Sequence, residues 1–458
     1  MIYNIQAPQS IHTSIRLPAS KSISNRVLLL NALSGSSYQL PVSSYRLPVP
    51  GYRLPVITGA IHNLSDSDDT QVLQKALLSS GADFDIGAAG TSMRFLTAYL
   101  AQRPGNWTIT GTERMKNRPI KLLVEALRSL GAEIDYLEKD GFPPLRITGK
   151  TLKGGQITMN GGVSSQYISA LMMIAPHLEQ GLELRLTGDL ISMPYLQLTT
   201  RLMQQFGVAV DWNGQTVKIQ PQPYKPVPFT VESDWSAASY WYEIAALAQG
   251  NAQIALLGLE EKSMQGDAQG RYLFEKVGVS TRHCVAGSDP QSPDNQTTII
   301  RGLRVPESSS GQARLRRPAM TNPTDAPTPL QHDFVNEPDL AQTFVVTCCL
   351  LGISFNFTGL QSLRIKETDR IAALQTELRK LGYDVSAKDN AMHWSGERCE
   401  PETHPVIATY EDHRMAMAFA PACLVNQNIR IADPHVVTKS YPNYWQDLAQ
   451  AGFTITEE

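Results

Sequence analysis

The sequence predicts an α/β protein built from six repeated helix and strand units, and three observations carry that expectation. An amphipathic helical stretch, a glycine and an alternating stretch recur six times, at Gly81, Gly131, Gly207, Gly278, Gly382 and Gly452. The 458 residues are 42% hydrophobic and 18% charged, the usage of a folded chain able to bury a large core. At roughly 150 residues per domain, that length suggests about three domains or two large ones. Third, seven cations (Lys21, Arg26, Arg118, Lys366, Arg370, Arg414 and Lys439) fall at predicted element boundaries although the net charge is −3. A small polyanionic substrate explains that placement better than chance does.

The six junctions justify the elements in order. They read Leu77-Leu-Ser-Ser-Gly81-Ala-Asp-Phe, Leu127-Arg-Ser-Leu-Gly131-Ala-Glu-Ile, Met203-Gln-Gln-Phe-Gly207-Val-Ala-Val, Phe274-Glu-Lys-Val-Gly278-Val-Ser-Thr, Leu378-Arg-Lys-Leu-Gly382-Tyr-Asp-Val and Leu448-Ala-Gln-Ala-Gly452-Phe-Thr-Ile. Each glycine suits the left-handed position that ends a helix. The residues after it alternate, as in Ala132-Glu-Ile-Asp-Tyr136, so one sheet face is buried and the other solvated. Gaps of 50, 76, 71, 104 and 70 residues are too long and irregular for a solenoid and fit six larger α/β units.

Two segments interrupt the pattern. Tyr-x-Leu-Pro-Val occurs three times at period seven from Tyr38, Tyr45 and Tyr52, and Pro41, Pro48 and Pro55 forbid a coiled coil. It reads as an inserted loop, either a polyproline-like docking strip or a tolerated repeat expansion. Residues 287–327, rich in Ser, Pro, Asn and Asp, read as a surface excursion.

Several function classes drop out. No basic run marks a nucleic-acid or membrane footprint, and no apolar stretch approaches the roughly 18 residues of a spanning helix. The start, Met1-Ile-Tyr-Asn-Ile-Gln-Ala-Pro, lacks the charged and apolar regions of a signal peptide, so a cytoplasmic location is expected. Five cysteines without paired Cys-x-x-Cys spacing argue against a zinc site or a disulfide framework.

The chemistry-bearing residues cluster at helix starts. Leu17-Pro-Ala-Ser20-Lys21-Ser22-Ile-Ser24-Asn25-Arg26 runs into Val27-Leu-Leu-Leu, which reads as an anion cradle or as an ordinary N-cap with exposed cations. Gly87-Ala-Ala-Gly90-Thr91-Ser92-Met-Arg94 lets backbone N–H groups approach an anion but lacks the Gly-Lys-Ser/Thr of a Walker loop. Arg118 precedes Pro119 at another helix start, and Ser164-Ser165-Gln166 opens a further one near Tyr167. In Arg364-Ile-Lys366-Glu367-Thr-Asp369-Arg370 the spacing places Lys366 and Arg370 on one helical face beside Glu367, as a site or as a solvated salt-bridged face. Tyr410-Glu-Asp412-His413-Arg414, Lys439 before Ser-Tyr-Pro442, and Asp333 upstream of Asn336-Glu-Pro338-Asp339 complete the set.

The order of these motifs resembles the 5-enolpyruvylshikimate-3-phosphate synthase family. The match rests on Lys21-Ser-Ile-Ser-Asn-Arg26, Asp66-Ser-Asp-Asp-Thr70, Gly90-Thr-Ser-Met-Arg94, Arg118-Pro-Ile, Ser164-Ser-Gln166, Ser192-Met-Pro-Tyr195, Lys366-Glu-Thr-Asp-Arg370, Asp412-His-Arg-Met-Ala416 and Lys439-Ser-Tyr-Pro442. The resemblance implies a two-domain inside-out α/β barrel of six α/β units. Its crossovers fall near Ala19-Ser20 and Val231-Glu232, giving one domain of 1–19 with 232–458 and another of 20–231 that carries the repeat loop 38–58.

The implied reaction joins phosphoenolpyruvate to the 5-hydroxyl of shikimate 3-phosphate and expels phosphate by addition and then elimination. By similarity Asp333 is base for the hydroxyl, Glu367 is acid for the methylene, and Lys21 assists. Lys366 and Arg370 should pull the proton affinity of Glu367 down unless burial offsets them. Shikimate 3-phosphate falls to Lys21, Ser22, Arg26, Ser164, Ser165, Gln166, Ser192, Tyr195, Asp333, Ser362 and Lys366, and phosphoenolpyruvate to Lys21, Gly90, Arg118, Gln166, Arg370, Arg414 and Lys439. No metal or other cofactor is expected, because this many cations can hold both anions. Nor is a nucleic-acid or membrane partner; a monomer is. The resembled family is the target of glyphosate, an anion that resembles phosphoenolpyruvate but is somewhat longer.

Three positions depart from the family pattern: Ala88, Phe95, and Ser362, which stands where an asparagine commonly contacts the shikimate ligand. A rival with the same fold acts on a UDP-amino sugar and typically carries a cysteine in the phosphoenolpyruvate loop; Gly87 to Phe95 has none. A rival of another class is a catalytically dead anion-binding scaffold, against which Asp333, Glu367 and the retained cations argue.

Overall fold

Four sheets repeat one order of elements: strand, buried helix, parallel strand, second helix, hairpin. In one of them strand Asp83–Asp85 leads through helix Gly90–Ala101 to strand Gly105–Thr110, which pairs parallel to it, and helix Lys121–Ser129 precedes the hairpin Glu133–Tyr136 and Leu145–Gly149. The second hairpin strand inserts beside Gly105–Thr110, so spatial order differs from chain order. The same plan organises the sheets that hold Gly155–Asn160, Ile11–Arg16 and Leu330–Asp333 as their first strands, while the sheet that begins with Val406–Ile407 is completed by Thr454–Glu457 and the N-terminal strand Ile2–Gln6 in place of a hairpin. These observations are made in a computed structural model, which describes residues 1–35, 61–162, 164–285, 296–302, 328–426 and 429–458. The three Tyr-x-Leu-Pro-Val copies lie outside the described residues.

The described residues form two compact units, one discontinuous (Met1–Pro18 with Glu232–Glu458) and one continuous (Ala19–Val231). The discontinuous unit holds three four-stranded sheets; the continuous unit holds two, plus a parallel pair, Ile61–His62 with Phe229–Thr230, among the described residues.

In each repeat the first helix is a core element and the second an amphipathic cover. Val27, Leu28, Leu29 and Leu30 of helix Lys21–Leu33 are all fully buried, each worth roughly 1.5–3 kcal/mol over exposure. Helix Lys121–Ser129 instead buries Leu123, Val124 and Leu127 and leaves Leu122 to solvent.

Five of the six punctuating glycines have φ between 83° and 105°, which side chains with a Cβ rarely adopt. Gly81 does not. Helix Asp68–Leu78 ends with Ser79 extended, the Ser79 hydroxyl accepts from the Gly81 N–H at 3.0 Å, and the next strand, Asp83–Asp85, opens a new sheet rather than a hairpin. A second correction falls in the expected excursion. Gln296–Gly302 is a strand between Ala252–Leu257 and Val279–Val285, because the β-branched run Thr297-Thr-Ile-Ile300 suits a pleated, buried position.

Candidate active site

In the continuous unit the predicted residues gather where strands give way to helix N-termini. Those termini present unpaired N–H groups and the positive end of the helix dipole. Lys21 opens helix Lys21–Leu33 with Nζ 3.6 Å from Asp69, in the first turn of Asp68–Leu78. Arg26 is buried one turn on. Its Nε donates to Thr199 Oγ1 at 2.7 Å, Nη1 to the Ser22 carbonyl at 2.9 Å, and Nη2 to Ser169 Oγ at 3.3 Å and the Tyr195 carbonyl at 3.5 Å. Burial pulls this guanidinium down to about 10, still a cation at neutral pH. Phe95 packs against it with its ring centroid 5.6 Å from the guanidinium carbon, so this departure touches a predicted ligand directly.

Gly90 and Arg118 form the second group. A Cβ on Gly90 would stand 2.5 Å from Arg118 Nη1, so only a residue without a side chain admits the guanidinium there. Arg94 fixes the approach by donating to the Gly90 carbonyl at 2.9 Å and the Pro119 carbonyl at 3.3 Å. Gln166 joins the same corner, with Nε2 donating to Thr91 Oγ1 at 3.2 Å, and Ser164 caps helix Ser165–Ile174 by accepting from the Gln166 N–H. Ser192, left-handed at φ 55°, precedes helix Met193–Gln205, which carries Tyr195.

In the discontinuous unit the predicted cations meet around carboxylates. Arg370, 1% exposed, donates to Asp412 Oδ2 at 2.7 Å, Asp339 Oδ1 at 3.2 Å and Glu367 Oε2 at 2.9 Å. The other oxygen of Glu367 lies 3.0 Å from Lys439 Nζ. Asp339 also meets Lys366 at 3.5 Å and Arg414 at 3.1 Å. Burial opposes its charge, but Arg414, Lys366 and Arg370 hold it well below the usual carboxylate range.

The sequence pattern placed Lys366 and Arg370 on one helical face, and the structure corrects this. The helix begins only at Arg370, capped by Asp369 Oδ1, which accepts from Ile371 N at 3.1 Å. Lys366 belongs to the turn before it. The two cations meet instead at Asp339, on the tight turn Pro338–Leu340. Asp333 ends strand Leu330–Asp333, exposed, its Oδ1 accepting from Val335 N at 3.0 Å. The Ser362 hydroxyl is buried without a hydrogen-bond partner.

Sequence reading missed Asp339 and Asp412 as organisers, although both stood in quoted motifs, Asp412 two residues from Arg414. Asp69, the neighbour of Lys21, sits in the acidic run Asp66-Ser-Asp-Asp69. Ser169 and Thr199, mid-helix and far apart in sequence, gave no signal.

The solved structures this chain resembles define the class. EPSP synthase from Acinetobacter baumannii superposes with TM-score 0.70 at 19% identity over all of both chains. The enolpyruvyl transferase NikO from Streptomyces tendae gives 0.65 at 14% identity, over 99% of this chain and 98% of that one. The fold is that of the enolpyruvyl transferases, a mixed α/β fold of helices and sheets.

Within that class, residues 5–448 match the family described as EPSP synthase (3-phosphoshikimate 1-carboxyvinyltransferase). A 3-phosphoshikimate 1-carboxyvinyltransferase of Bacteroides fragilis strain ATCC 25285 is 52% identical over 457 residues, 99% of each chain. One from Yersinia ruckeri is 34% identical over 96% of each. This chain belongs to the EPSP synthase family. No helix among the described residues is long and apolar enough to cross a membrane.

Proposed function

We propose that this chain transfers the enolpyruvyl group of phosphoenolpyruvate to the 5-hydroxyl of shikimate 3-phosphate, with Glu367 exchanging the proton at the methylene carbon. The observation that carries the assignment is Glu367 held between Lys439 at 3.0 Å and Arg370 at 2.9 Å. Both cations are also assigned to phosphoenolpyruvate, together with Arg414, Arg118, Gly90, Gln166 and Lys21.

A carboxylate clasped by two cations is a weak base and must take up a proton from solvent before it can deliver one. When the carboxylate and phosphate of the substrate draw on the same cations, Glu367 loses part of that stabilisation and its proton affinity rises. It then delivers a proton to the methylene as the 5-hydroxyl oxygen attacks the neighbouring carbon, with Asp333 taking the hydroxyl proton. In the second half Glu367 removes a proton from the new methyl group, the double bond re-forms, and the C–O bond to phosphate breaks as the departing phosphate takes the proton that Asp333 holds. Each acid and base thus returns to its starting state.

Shikimate 3-phosphate is assigned to Ser22, Arg26, Ser164, Ser165, Gln166, Ser192, Tyr195, Ser362 and Lys366, with Lys21 and Asp333 at its reacting end. Arg26 supports this, because hydroxyls and carbonyls orient its guanidinium and leave its charge for a ligand. A cytoplasmic monomer needing no metal is the accompanying reading.

The test is phosphate release from phosphoenolpyruvate by purified protein, with and without shikimate 3-phosphate. Release only when both are present is expected. Release with a UDP-amino sugar instead, or none with either acceptor, would overturn the reading.

A further inference from the structure

Behind Arg414 a half-buried serine and a buried carboxyl form a short relay. Ser236 stands in the first turn of helix Trp235–Leu247, and its hydroxyl donates to Asp267 Oδ2. A hydroxyl has one hydrogen, so its lone pairs are left for Arg414, whose Nη2 donates to the same oxygen at 3.4 Å. Asp267 is 4% exposed on the tight turn Gly266–Gln269, and its Oδ1 is buried with no hydrogen-bond partner. The charged groups facing it are Asp234 at the cap of helix Trp235–Leu247, Asp339 from the turn Pro338–Leu340, and Arg414 from helix His413–Phe419. Tyr240, one turn beyond Ser236, accepts from Arg414 Nη1 at 3.4 Å. Burial, and then the charge of Asp339, push the Asp267 carboxyl up to about 7.

We propose that Asp267 is a positioning residue that sets, through Ser236, how much of the Arg414 charge is available to an anionic ligand. With Asp267 neutral, the cations Lys366, Arg370, Arg414 and Lys439 outnumber the carboxylates Asp339, Glu367 and Asp412 that touch them. With Asp267 ionised, a further carboxylate stands one hydroxyl behind Arg414 and offsets the surplus. The inference rests on the assignment of Arg414 to phosphoenolpyruvate.

The sign follows. Asp267 ionises as pH rises through about 7, so the KM for phosphoenolpyruvate should rise there relative to an Asp267→Asn variant, which stays neutral. Ionisation of the substrate itself affects both proteins alike and cancels in the ratio. The experiment measures KM for both substrates from about pH 6 to about pH 8.5 in wild type, Asp267→Asn, Ser236→Ala and Arg414→Lys, with thermal unfolding to establish that each is folded. The wild-type to Asp267→Asn ratio for phosphoenolpyruvate should climb from near unity to roughly fivefold, with no such climb for shikimate 3-phosphate. Ser236→Ala should raise the phosphoenolpyruvate KM at every pH. A flat ratio, or an equal climb for both substrates, overturns the proposal. Should Asp267→Asn not fold, an unchanged phosphoenolpyruvate KM in Ser236→Ala overturns the relay. An unchanged phosphoenolpyruvate KM in Arg414→Lys would instead overturn the assignment of Arg414.

Discussion

Arg370 and Arg26 are both buried, one in each unit, and are held charged by opposite means. Arg370 touches three carboxylates, and although burial disfavours its charge, Asp412, Glu367 and Asp339 raise its proton affinity above the ordinary value. Arg26 is held by two hydroxyls and two carbonyls and titrates lower than usual. The difference separates two uses of a buried cation. Carboxylates offset much of the Arg370 charge, so besides the phosphoenolpyruvate contact proposed for it Arg370 fixes Glu367 and Asp412 in place. Neutral acceptors orient Arg26 without offsetting its charge, as recognition of a phosphate requires.

The comparison breaks most visibly in stability. Arg370→Met strips three buried or half-buried carboxylates of a counterion and should cost about 3–5 kcal/mol, read from urea unfolding. Arg26→Met should cost at most about 2 kcal/mol, since the partners left behind are neutral hydroxyls and carbonyls, while raising the KM for shikimate 3-phosphate at least about tenfold. Equal losses of stability would show that the two arginines do the same job. Lys21→Met should then lower kcat at least about 100-fold, the scale of a proton-transfer group; a change confined to KM would make Lys21 a binding cation only.

A smaller effect probes the buried acids of the discontinuous unit. Glu243 is fully buried in helix Trp235–Leu247, with Thr347 alongside, yet neither carboxyl oxygen completes a hydrogen bond. Burial raises it well above the ordinary carboxyl range. The folded state therefore holds a proton that the unfolded chain has released, and stability falls as pH rises from the ordinary carboxyl value to the raised one. Glu243→Gln should leave thermal stability near pH 4 almost unchanged and add on the order of 1–2 kcal/mol at alkaline pH. A gain independent of pH would mean the carboxyl does not titrate across that window.

The mildest expected change is Gly90→Ala. Its Cβ would land 2.5 Å from Arg118 Nη1, and the flexible guanidinium can retreat, so the KM for phosphoenolpyruvate should rise only several-fold. Glyphosate, somewhat longer than phosphoenolpyruvate, should lose more. Equal fold changes in the glyphosate inhibition constant and the substrate KM would show that Gly90 does not bound the pocket.

Legibility in the sequence followed the range of the interaction. The helix-glycine-strand junctions are local, set by φ at one residue and a periodicity change around it, and five of the six glycines have the expected backbone. Gly81 misled because Ser79, two residues away, ends that turn with its side chain. The cations were readable because they stand at helix starts, but their partners come from other elements. Asp339 is 31 residues from Arg370 and Asp412 is 42 away, and no short pattern joins them. Lys366 and Arg370 were paired for the wrong reason, by a helical spacing that does not exist there, and meet through a carboxylate that spacing could not reveal.

The most direct test of Glu367 as the group that exchanges the methylene proton is turnover in deuterated water. Addition places a deuteron on the methylene of phosphoenolpyruvate, and elimination removes one of the three methyl hydrogens, so product and recovered substrate should carry deuterium at that carbon. Glu367→Gln should slow both turnover and deuterium incorporation at least about 100-fold while both substrates still bind. Incorporation at the wild-type rate in Glu367→Gln would contradict the account, because the proton would then come from another group.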